Sequence, residues 1–418
     1  MRFSSRFAYA GGVVVALILA GAGAFAQQRS GPPSPRMPTL PFPSQPHVFE
    51  TLEGSIRVVP FVTGLVDPWS VAFLPNGDML VTERGGQLRL VRNARLLPEP
   101  LSGVPAVRAQ GQGGLQEVAL HPNFAQNRFV YLSYAKPGSD ASQGTTALAR
   151  GRFENDRLVD VREIFEAAAW ADTPGHFGAR IAFDRDGFLF MSVGDRMAGL
   201  SAQGMDPNTL ATHPSQLLTN HQGTIVRLRD DGSVPNDNPF VGRQNALPEI
   251  WSYGHRNPQG LAIHPQTNAL WSTEHGPQGG DELNVIRRGA NYGWPVIGYG
   301  VNYVVGTEIH KNRYQEGMEQ PTAFWVPSIG ISGLMFYQGD QFPNWKGNAF
   351  VGGMSGAHQQ LVRISLNGTT VLNRESLLVG EYRIRDVREG PDGFVYLATD
   401  NIYGQPSSIV RLEPADEE

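Results

Sequence analysis

The sequence predicts an all-β protein, a six-bladed β-propeller whose blades are four-stranded antiparallel sheets. Three observations lead to this prediction. A strand–turn–strand unit recurs six times along the 418 residues, and several copies close with a further strand. In addition, 49 glycines and 31 prolines favour many turns over long helices.

Each copy of the repeat is an apolar strand, a turn carrying Pro, Asp, Asn or Gly, and a second strand rich in branched and aromatic residues. The first copy runs through Val71–Phe73, turns at Asn76-Gly77 and continues through Met79–Val81. A two-sheet sandwich also has alternating strands, but it does not contain six similar units with long insertions. The anchoring residues of the six copies are Phe73, Leu120, Phe183, Ile263, Phe336 and Val387.

The start of the predicted domain follows from the composition of the residues that precede it. Arg2 and Arg6 precede a short apolar run, and Ala24-Phe25-Ala26 provides the small-x-small pattern of a cleavage site. The run is shorter than the roughly 20 residues of a bilayer span. We therefore expect cleavage, no stable membrane insertion afterwards, and a periplasmic or secreted location. The predicted organisation is a signal peptide over 1–26, a Pro-rich tether over 27–47 and the propeller over 48–418.

Charge and cysteine content exclude some functions. Cleavage removes two arginines, which lowers the basic residues from 34 to 32 against 39 acidic ones and leaves a net charge of −7. A chain with this net negative charge lacks the excess of basic residues that is typical of proteins that bind nucleic acid or an anionic membrane. Cysteine is absent, so an oxidising compartment does no harm and no disulfide supports the fold.

Two long, polar insertions, 196–221 and 290–330, interrupt otherwise compact repeats. Long loops on a rigid scaffold usually build a site. His176 precedes the first strand of the third repeat, where it can accept a proton at neutral pH, and Asp195 can orient its ring. A histidine between glycines is also compatible with a turn or packing role.

Three further segments carry polar groups suited to an anion or a cation. Arg256 and Asn257 offer donors for a carboxylate or quinone oxygen, although an ordinary surface loop has the same composition. Residues 274–282 expose carbonyls and acids that suit a hard cation, but without EF-hand or zinc spacing. Arg383 and Arg385 share one face of a strand, either to bind several carboxylates or to pair with Asp386.

Taken together, these stretches resemble the soluble pyrroloquinoline-quinone (PQQ)-dependent sugar dehydrogenases, especially their aldose sugar dehydrogenase branch. The resemblance runs from about Leu65 to Leu412. The motifs that carry it, in the family's order, are Gly111-Gln112-Gly113-Gly114-Leu115, Gly254-His255-Arg256-Asn257-Pro258-Gln259-Gly260, Asn291-Tyr292-Gly293-Trp294-Pro295 and Arg383-x-Arg385-Asp386.

The resemblance implies a function and a role for each matching residue. It implies oxidation of an aldose sugar at the anomeric carbon to a lactone, with PQQ and Ca²⁺ as cofactors and a quinone or small electron carrier as acceptor. His176 is implied as the general base while hydride passes to the quinone C5, and Arg256 as the group that polarises the quinone carbonyl. The implied cofactor contacts are Gln112, Arg256, Asn257, Tyr303, Arg383 and Arg385.

Two calcium sites are implied in the same way. The carbonyls of Gly276 and Pro277 would hold the ion that bridges to the cofactor, and Glu282 with the Tyr292 carbonyl would form a second, structural site. The chain departs from the family at one cofactor contact, where Ser355 stands in place of the usual lysine. Loss of that cation predicts weaker cofactor binding unless another residue, such as His358, compensates.

Two other functions were weighed against this one. A calcium-dependent lactonase needs a metal held by side-chain carboxylates and Asn at the propeller axis, and the sequence shows no such set. A non-catalytic binding propeller is the second alternative, which the Ser355 departure favours and the retained His176, Arg256 and paired arginines oppose.

Overall fold

The computed structural model describes residues 46–400 and 406–415, which form six antiparallel sheets arranged as the blades of a propeller. The predicted fold class is confirmed. The predicted signal peptide and nearly all of the Pro-rich tether lie outside the described residues. No helix within the described part of the chain is both long enough and apolar enough to cross a bilayer.

The strands follow one another blade by blade. The first blade contains β3 (Pro68–Phe73), β4 (Met79–Glu83), β5 (Gln87–Arg92) and β6 (Arg95–Leu96). The second contains β7 (Leu115–Leu120), helix α1 (Phe124–Asn127), β8 (Phe129–Pro137), β9 (Gly144–Glu154) and β10 (Arg157–Glu166). The third contains β11 (Ile181–Phe183), β12 (Leu189–Val193), β13 (Thr224–Leu228) and β14 (Ile250–Tyr253).

The remaining blades repeat the arrangement. The fourth contains β15 (Pro258–Ile263), β16 (Leu270–Glu274), β17 (Asp281–Ile286) and β18 (Ala323–Trp325). The fifth contains β19 (Ile331–Phe336), β20 (Ala349–Gly353), β21 (Gln360–Asn367) and β22 (Thr370–Leu377). The sixth joins β23 (Ile384–Glu389), β24 (Val395–Thr399) and β25 (Pro406–Pro414) to two strands from the start of the chain, β2 (Gly54–Val66) and β1 (His47–Thr51).

Short 3₁₀ turns lie in the loops, at Leu210–Thr212, Pro214–Gln216, Pro343–Trp345 and Gly356–His358. Every anchoring residue predicted from the sequence lies in the first strand of a blade. These first strands contact one another in a closed ring around the axis, in the order β3, β7, β11, β15, β19 and β23.

Pairing of the two chain ends closes the sixth blade. β2 runs antiparallel to β25, with Val58 opposite Leu412 and Leu65 opposite Ser407. Val58, Leu65 and Leu412 are fully buried. Backbone hydrogen bonds and apolar packing therefore join the beginning and the end of the described domain within the sixth blade, in a chain without cysteine. The predicted four strands become five in this blade because β1 folds back on β2 and covers its edge.

The hydrophobic core is divided into clusters that join neighbouring blades. Tyr131 of the second blade packs with Leu189 of the third, and Trp271 of the fourth packs with Phe336 of the fifth. Burial of such side chains contributes about 1.5–3 kcal/mol each. The blades are thus held as one rigid scaffold for the loops at their ends.

A buried ion network lies near the axis. The Arg180 guanidinium Nη1 lies 2.7 Å from a Glu117 carboxylate oxygen and 2.8 Å from one of Asp386. These three side chains are at most 2% exposed and come from three different blades. Arg180 also donates from Nη2 to the carbonyl of Arg385 at 2.9 Å. The network therefore fixes the backbone that carries one of the predicted cofactor contacts.

Candidate active site

Five blades share one backbone hydrogen bond, which gathers their loops at one end of the propeller. In four of these blades the residue that follows the second strand donates its N–H to the carbonyl of the residue that precedes the first strand. In the second blade the donor, Ala135, lies within the second strand, β8. The five pairs are Arg84 to Asp67, Ala135 to Gly114, His275 to Asn257, Met354 to Gly330 and Asp400 to Arg383, at 2.9–3.2 Å. Predicted site residues or their direct neighbours occupy many of these positions.

A cleft of about 270 Å³ opens at this end of the molecule. Polar and aromatic residues of the third and fourth blades line one side, and both insertions supply the rest. The lining includes His176, Asp195, Arg256, Pro277, Trp294 and Tyr303. The two insertions contact each other here, since the N–H of Met205 donates to Oδ1 of Asn302 at 3.0 Å.

His176 and Asp195 form a buried pair on the cleft wall. The Nδ1 atom of His176 lies 2.6 Å from Oδ1 of Asp195, and the two residues are 6% and 1% exposed. The other carboxylate oxygen accepts from the Trp294 indole N–H at 2.7 Å. Because the carboxylate accepts a hydrogen bond from Nδ1–H, Nε2 is the ring nitrogen that keeps its lone pair.

The backbone at His176 is strained, with φ at 51°, a conformation that L residues rarely adopt. The Gln112 side-chain oxygen accepts the His176 N–H at 2.9 Å. Burial, and then the positive charge of Arg256, lower the pKa of His176, while Asp195 opposes the shift. The ring is therefore neutral, and able to accept a proton, at neutral pH.

Asp195 remains ionised despite its position. Burial alone would raise the pKa of Asp195. His176, through its charge and its hydrogen bond, and then the charge of Arg256 lower this pKa below the ordinary value. A charged carboxylate stabilises the imidazolium that forms when His176 accepts a proton.

Arg256 joins the base to the carbonyls of residues 274–282. Its backbone N–H donates to Glu274 at 2.8 Å, and its Nη1 donates to the carbonyl of His275 at 3.1 Å. Nη2 lies 3.3 Å from the Tyr303 hydroxyl, and this hydroxyl is 3.5 Å from the carbonyl oxygen of Gly276. The guanidinium also lies over the Trp294 ring, 5.3 Å from its centroid.

A second cleft of about 290 Å³ adjoins the first and shares Arg256, Pro277 and Trp294 with it. Glu282 and Tyr292 lie in its wall beside Gly276. Asn284 donates to Glu274 at 3.1 Å and to Glu282 at 3.0 Å. Burial, and then the charge of Glu274, raise the pKa of Glu282 to about 8. A buried carboxylate, Glu274, and a partly buried one, Glu282, that face one amide are a donor set suited to a hard cation.

The tight loop after β16 needs its glycines. A Cβ atom on Gly276 would lie 2.3 Å from the carbonyl oxygens of Gly279 and Gly280. Within residues 46–400 and 406–415, no group of three or more His, Asp or Glu side chains has metal-binding geometry. The predicted calcium ligands in this loop, the carbonyls of Gly276 and Pro277, stay a prediction.

Arg383 and Arg385 converge on Asp400. Arg383 Nη1 forms a short ion pair with Oδ2 of Asp400, and Arg385 Nη2 lies 3.3 Å from the same oxygen. Asp386, the partner considered from the sequence, instead pairs with Arg180 and Arg388. Both arginines contact the same carboxylate, as expected for side chains on one side of the strand, but that carboxylate lies 17 positions from Arg383 and 15 from Arg385 along the chain.

Asn257 and Gln259 connect Arg385 to the backbone of Gly178, two residues after His176. Arg385 Nη1 donates to the Gln259 side-chain oxygen at 3.0 Å, and Gln259 donates to Asn257 at 3.2 Å. The Asn257 oxygen also accepts from Gly178 at 3.2 Å. The predicted cofactor contacts thus belong to one continuous polar network, although they come from separate blades.

Sequence reasoning missed three residues of this site. Trp294 appears in the sequence analysis only within a motif, Asp400 lies outside every motif, and His275 lies in the segment 274–282 that was predicted to suit a cation. The Nε2 atom of His275 is buried without a hydrogen-bond partner in the described chain, and burial lowers its pKa well below the ordinary value. The available signal was position, because His275 and Asp400 both directly follow the second strand of a repeat.

Comparisons with known proteins agree with the fold and identify the family. The family model described as glucose / sorbosone dehydrogenase matches residues 65–411. The aldose sugar dehydrogenase YliI of Escherichia coli K12 is 44% identical over 353 residues, which cover 83% of this chain and 90% of that protein. The resemblance inferred from the four motifs is confirmed.

Solved structures give the same result. The apo-form crystal structure of the soluble aldose sugar dehydrogenase from Escherichia coli superposes with a TM-score of 0.78 at 40% identity, over 86% of this chain and 100% of that one. The PQQ-bound form of the aldose sugar dehydrogenase from Streptomyces coelicolor gives a TM-score of 0.69 at 29% identity, over 87% and 99% of the two chains.

Proposed function

Because the chain belongs to the glucose / sorbosone dehydrogenase family, we propose that it oxidises aldose sugars at the anomeric carbon to lactones, with PQQ and Ca²⁺ as cofactors. The observation that carries the proposal is the His176–Asp195 pair in the wall of the main cleft, with Nδ1 and Oδ1 2.6 Å apart beside Arg256. This is the arrangement that a general base and its orienting carboxylate require.

The residues present fit a flat tricarboxylate such as PQQ. The Nε atoms of Arg383 and Arg385 are buried and have no hydrogen-bond partner in the described chain. The two guanidinium groups share a single carboxylate, so one positive charge is not compensated within the group. Unused donors and surplus positive charge at one place favour a ligand with several carboxylates.

Gln112, Asn257, Tyr303, Arg256, Arg383 and Arg385 would hold the cofactor. The carbonyls of Gly276 and Pro277 would hold the first calcium, and Glu282 with the Tyr292 carbonyl would hold the second. When bound, PQQ supplies the acceptor for the hydride of the sugar, and the calcium beside it supplies Lewis-acid polarisation. The raised pKa of Glu282 supports a cation there, since a positive charge would relieve the repulsion from Glu274.

The chain's own residues then manage the proton. Nε2 of His176 accepts the proton of the anomeric hydroxyl as the C–H bond of the sugar breaks, so the sugar loses one hydride and one proton and becomes a lactone. Asp195 holds the ring in the required tautomer and stabilises its positive charge. Arg256 places a fixed positive charge at the same cleft wall, where it stabilises negative charge without reorganisation.

Residues of the two insertions form part of the cleft wall near His176. Met197, Leu200 and Met205 add apolar surface to its lining, which limits water near His176 and strengthens the electrostatic interactions there. An exported enzyme would transfer the electrons to a quinone or a small electron carrier outside the cytoplasm. Both the location and the acceptor belong to this proposal.

The two alternative functions receive less support. A lactonase-type site needs several side-chain ligands on one metal, and the described residues form no such group. A binding module needs no buried base, whereas His176, Asp195 and Trp294 form a connected set at the cleft.

The test is reconstitution of the purified apoprotein with PQQ and Ca²⁺, followed by dye reduction with glucose and other aldoses. We expect turnover that depends on both cofactors and is strongly reduced in His176→Ala. A protein that binds PQQ but reduces dye equally well with and without an aldose would contradict the proposed reaction.

A further inference from the structure

Arg84 lies at the end of the propeller that carries the candidate active site, but it belongs to none of the four motifs that predicted site residues. It directly follows β4 in the first blade, and its N–H donates to the carbonyl of Asp67 at 3.0 Å. Asp400 in the sixth blade makes the same bond to Arg383, at 2.9 Å. The strand register supports the same equivalence of positions. In the first blade Glu83, the residue before Arg84, pairs with Pro68. In the sixth blade Thr399, the residue before Asp400, pairs with Ile384 in the same way. Arg84 therefore lies at the site end of the propeller, one blade from Asp400.

Side-chain contacts hold Arg84 against the loop that carries Gln112. Its Nη1 donates to the carbonyl of Gly111, and its Nη2 lies 2.9 Å from a carboxylate oxygen of Asp67. Gly114 approaches the Arg84 carbonyl so closely that a Cβ atom would lie 1.8 Å from that oxygen. The Arg84 side chain is 21% exposed, so the guanidinium is fixed in place and still accessible to a ligand.

The charge of Arg84 acts on the arginine pair of the sixth blade. Burial is the main cause that lowers the pKa of Arg385 to about 10, and Arg84 adds to it together with other arginines. Burial alone would raise the pKa of Asp400, but the charges of Arg383, Arg385 and Arg84 hold it below the ordinary value. The direction of both shifts agrees with the position that the backbone bond to Asp67 and the contact with Gly111 give to Arg84, at the site end of the blade next to Asp400.

We propose that Arg84 is a third arginine that binds a carboxylate of the cofactor, completing with Arg383 and Arg385 a cluster of three guanidinium groups. The inference rests on the proposed function, since it takes PQQ as the ligand. It also accounts for Ser355, which stands after β20 in the fifth blade without a charge. Arg84 supplies the missing cation from the first blade, on the other side of the sixth.

The competing explanation is that Arg84 only joins the ends of β3 and β4 through Asp67. The two explanations differ in what the charge does. A structural bridge contributes to folding and needs both partners, whereas a ligand-binding cation needs only Arg84. Removal of Asp67 therefore distinguishes them, because it frees the guanidinium and removes a negative charge that competes with the cofactor.

The experiment measures the dissociation constant of PQQ for the apoprotein in excess Ca²⁺ by equilibrium titration, without a sugar. The variants are Arg84→Gln, Arg84→Lys and Asp67→Asn. The matched control is Arg92→Gln, which removes an ion-paired arginine of the same blade. The melting temperature of each apoprotein is measured in parallel to establish that the variants are folded.

We expect Arg84→Gln to weaken PQQ binding about tenfold or more, the effect of losing one charge-assisted hydrogen bond. Arg84→Lys should stay within a few-fold of the wild type, Asp67→Asn should bind as tightly or more tightly, and Arg92→Gln should not change. Wild-type affinity in Arg84→Gln, or equal losses in Arg84→Gln and Asp67→Asn, would overturn the assignment. A wild-type protein that binds no PQQ would instead overturn the proposed function, and this inference with it.

Discussion

The imidazole Nδ1 of His176 and the carboxylate Oδ1 of Asp195 lie 2.6 Å apart, in a site where both side chains are almost completely buried. Asp195 is fixed from its other oxygen by the Trp294 indole. The pair therefore has one tautomer and one orientation, and Nε2 is the ring nitrogen that remains for a substrate. This relationship leads directly to the first two predictions.

Substitution of Asp195 is expected to affect the rate and not the affinity for the cofactor. In Asp195→Asn the amide no longer selects the tautomer with a free Nε2, and kcat should fall by about 100-fold or more. The dissociation constant of PQQ should stay within a few-fold of the wild type. Steady-state kinetics with an aldose, combined with PQQ titration, checks both statements, and an unchanged kcat would contradict the orienting role.

The pH dependence of turnover reports the ionisation of His176. The base must be neutral, so activity is lost as the pH falls through its pKa, and burial with Arg256 lowers that pKa from 6.5. We therefore expect a rate that stays on its plateau down to pH values below 6.5 and declines only under more acidic conditions. A profile of kcat/KM against pH measures this limb, and a limb centred above 7 would contradict the assignment of His176 as the base.

Asp400 is expected to be important for the apoprotein and less so once the cofactor is bound. Asp400→Asn leaves two buried guanidinium groups without their shared carboxylate, and breaking a buried pair destabilises a protein by about 3–5 kcal/mol. Thermal unfolding should show a lower melting temperature that PQQ raises more than in the wild type. The matched control is Asp392→Asn, at an exposed aspartate 3.7 Å from Arg411. An unchanged apoprotein melting temperature would exclude this role for Asp400.

Calcium is expected to stabilise the protein through Glu282. Saturation of a site at about 100 times its dissociation constant contributes roughly 2.7 kcal/mol, so a chelator should lower the melting temperature measurably. Glu282→Gln should abolish most of this difference, whereas Glu166→Gln, at a carboxylate that forms a surface ion pair with Lys136, should retain it. The same calcium-dependent shift in both variants would place the cation elsewhere.

The pairing of β2 in the sixth blade predicts that substitutions at Leu65 and Val66 change the free energy of unfolding by different amounts. Leu65→Ala removes a fully buried side chain from the junction of the first and last blades and should lower the free energy of unfolding by about 2–5 kcal/mol. Val66 is 46% exposed, and Val66→Ala should have a small effect. Denaturant unfolding compares the two variants, and equal losses would show that β2 is not part of the core.

Much of the fold was predictable because the repeat is local. Short-range patterns of apolar residues and turn residues predict the hairpins anchored at Phe73 and Phe183, and the structure contains both hairpins. The pairing of β2 with β25 was not predicted, since it joins residues more than 300 positions apart and leaves no local pattern. For the same reason the fifth strand of the last blade was missed.

The site was less predictable than the fold. His176 and Arg256 were identified because they lie in motifs that resemble a family, and the structure places them in one cleft. Asp400 lies outside every motif, and its importance depends on two arginines that meet it in space. Arg84 also lies outside every motif, and the equivalence of blades together with its contact to Gly111 places it at the site.

Reconstitution of the apoprotein with PQQ and Ca²⁺ tests the central claim most directly, by dye-coupled aldose oxidation in the wild type and in His176→Ala at matched cofactor saturation. We expect aldose-dependent turnover in the wild type only when both cofactors are present. We also expect at least a 100-fold lower kcat in the variant, because it loses the general base. Wild-type protein that acquires no cofactor spectrum and oxidises no aldose would contradict the claim.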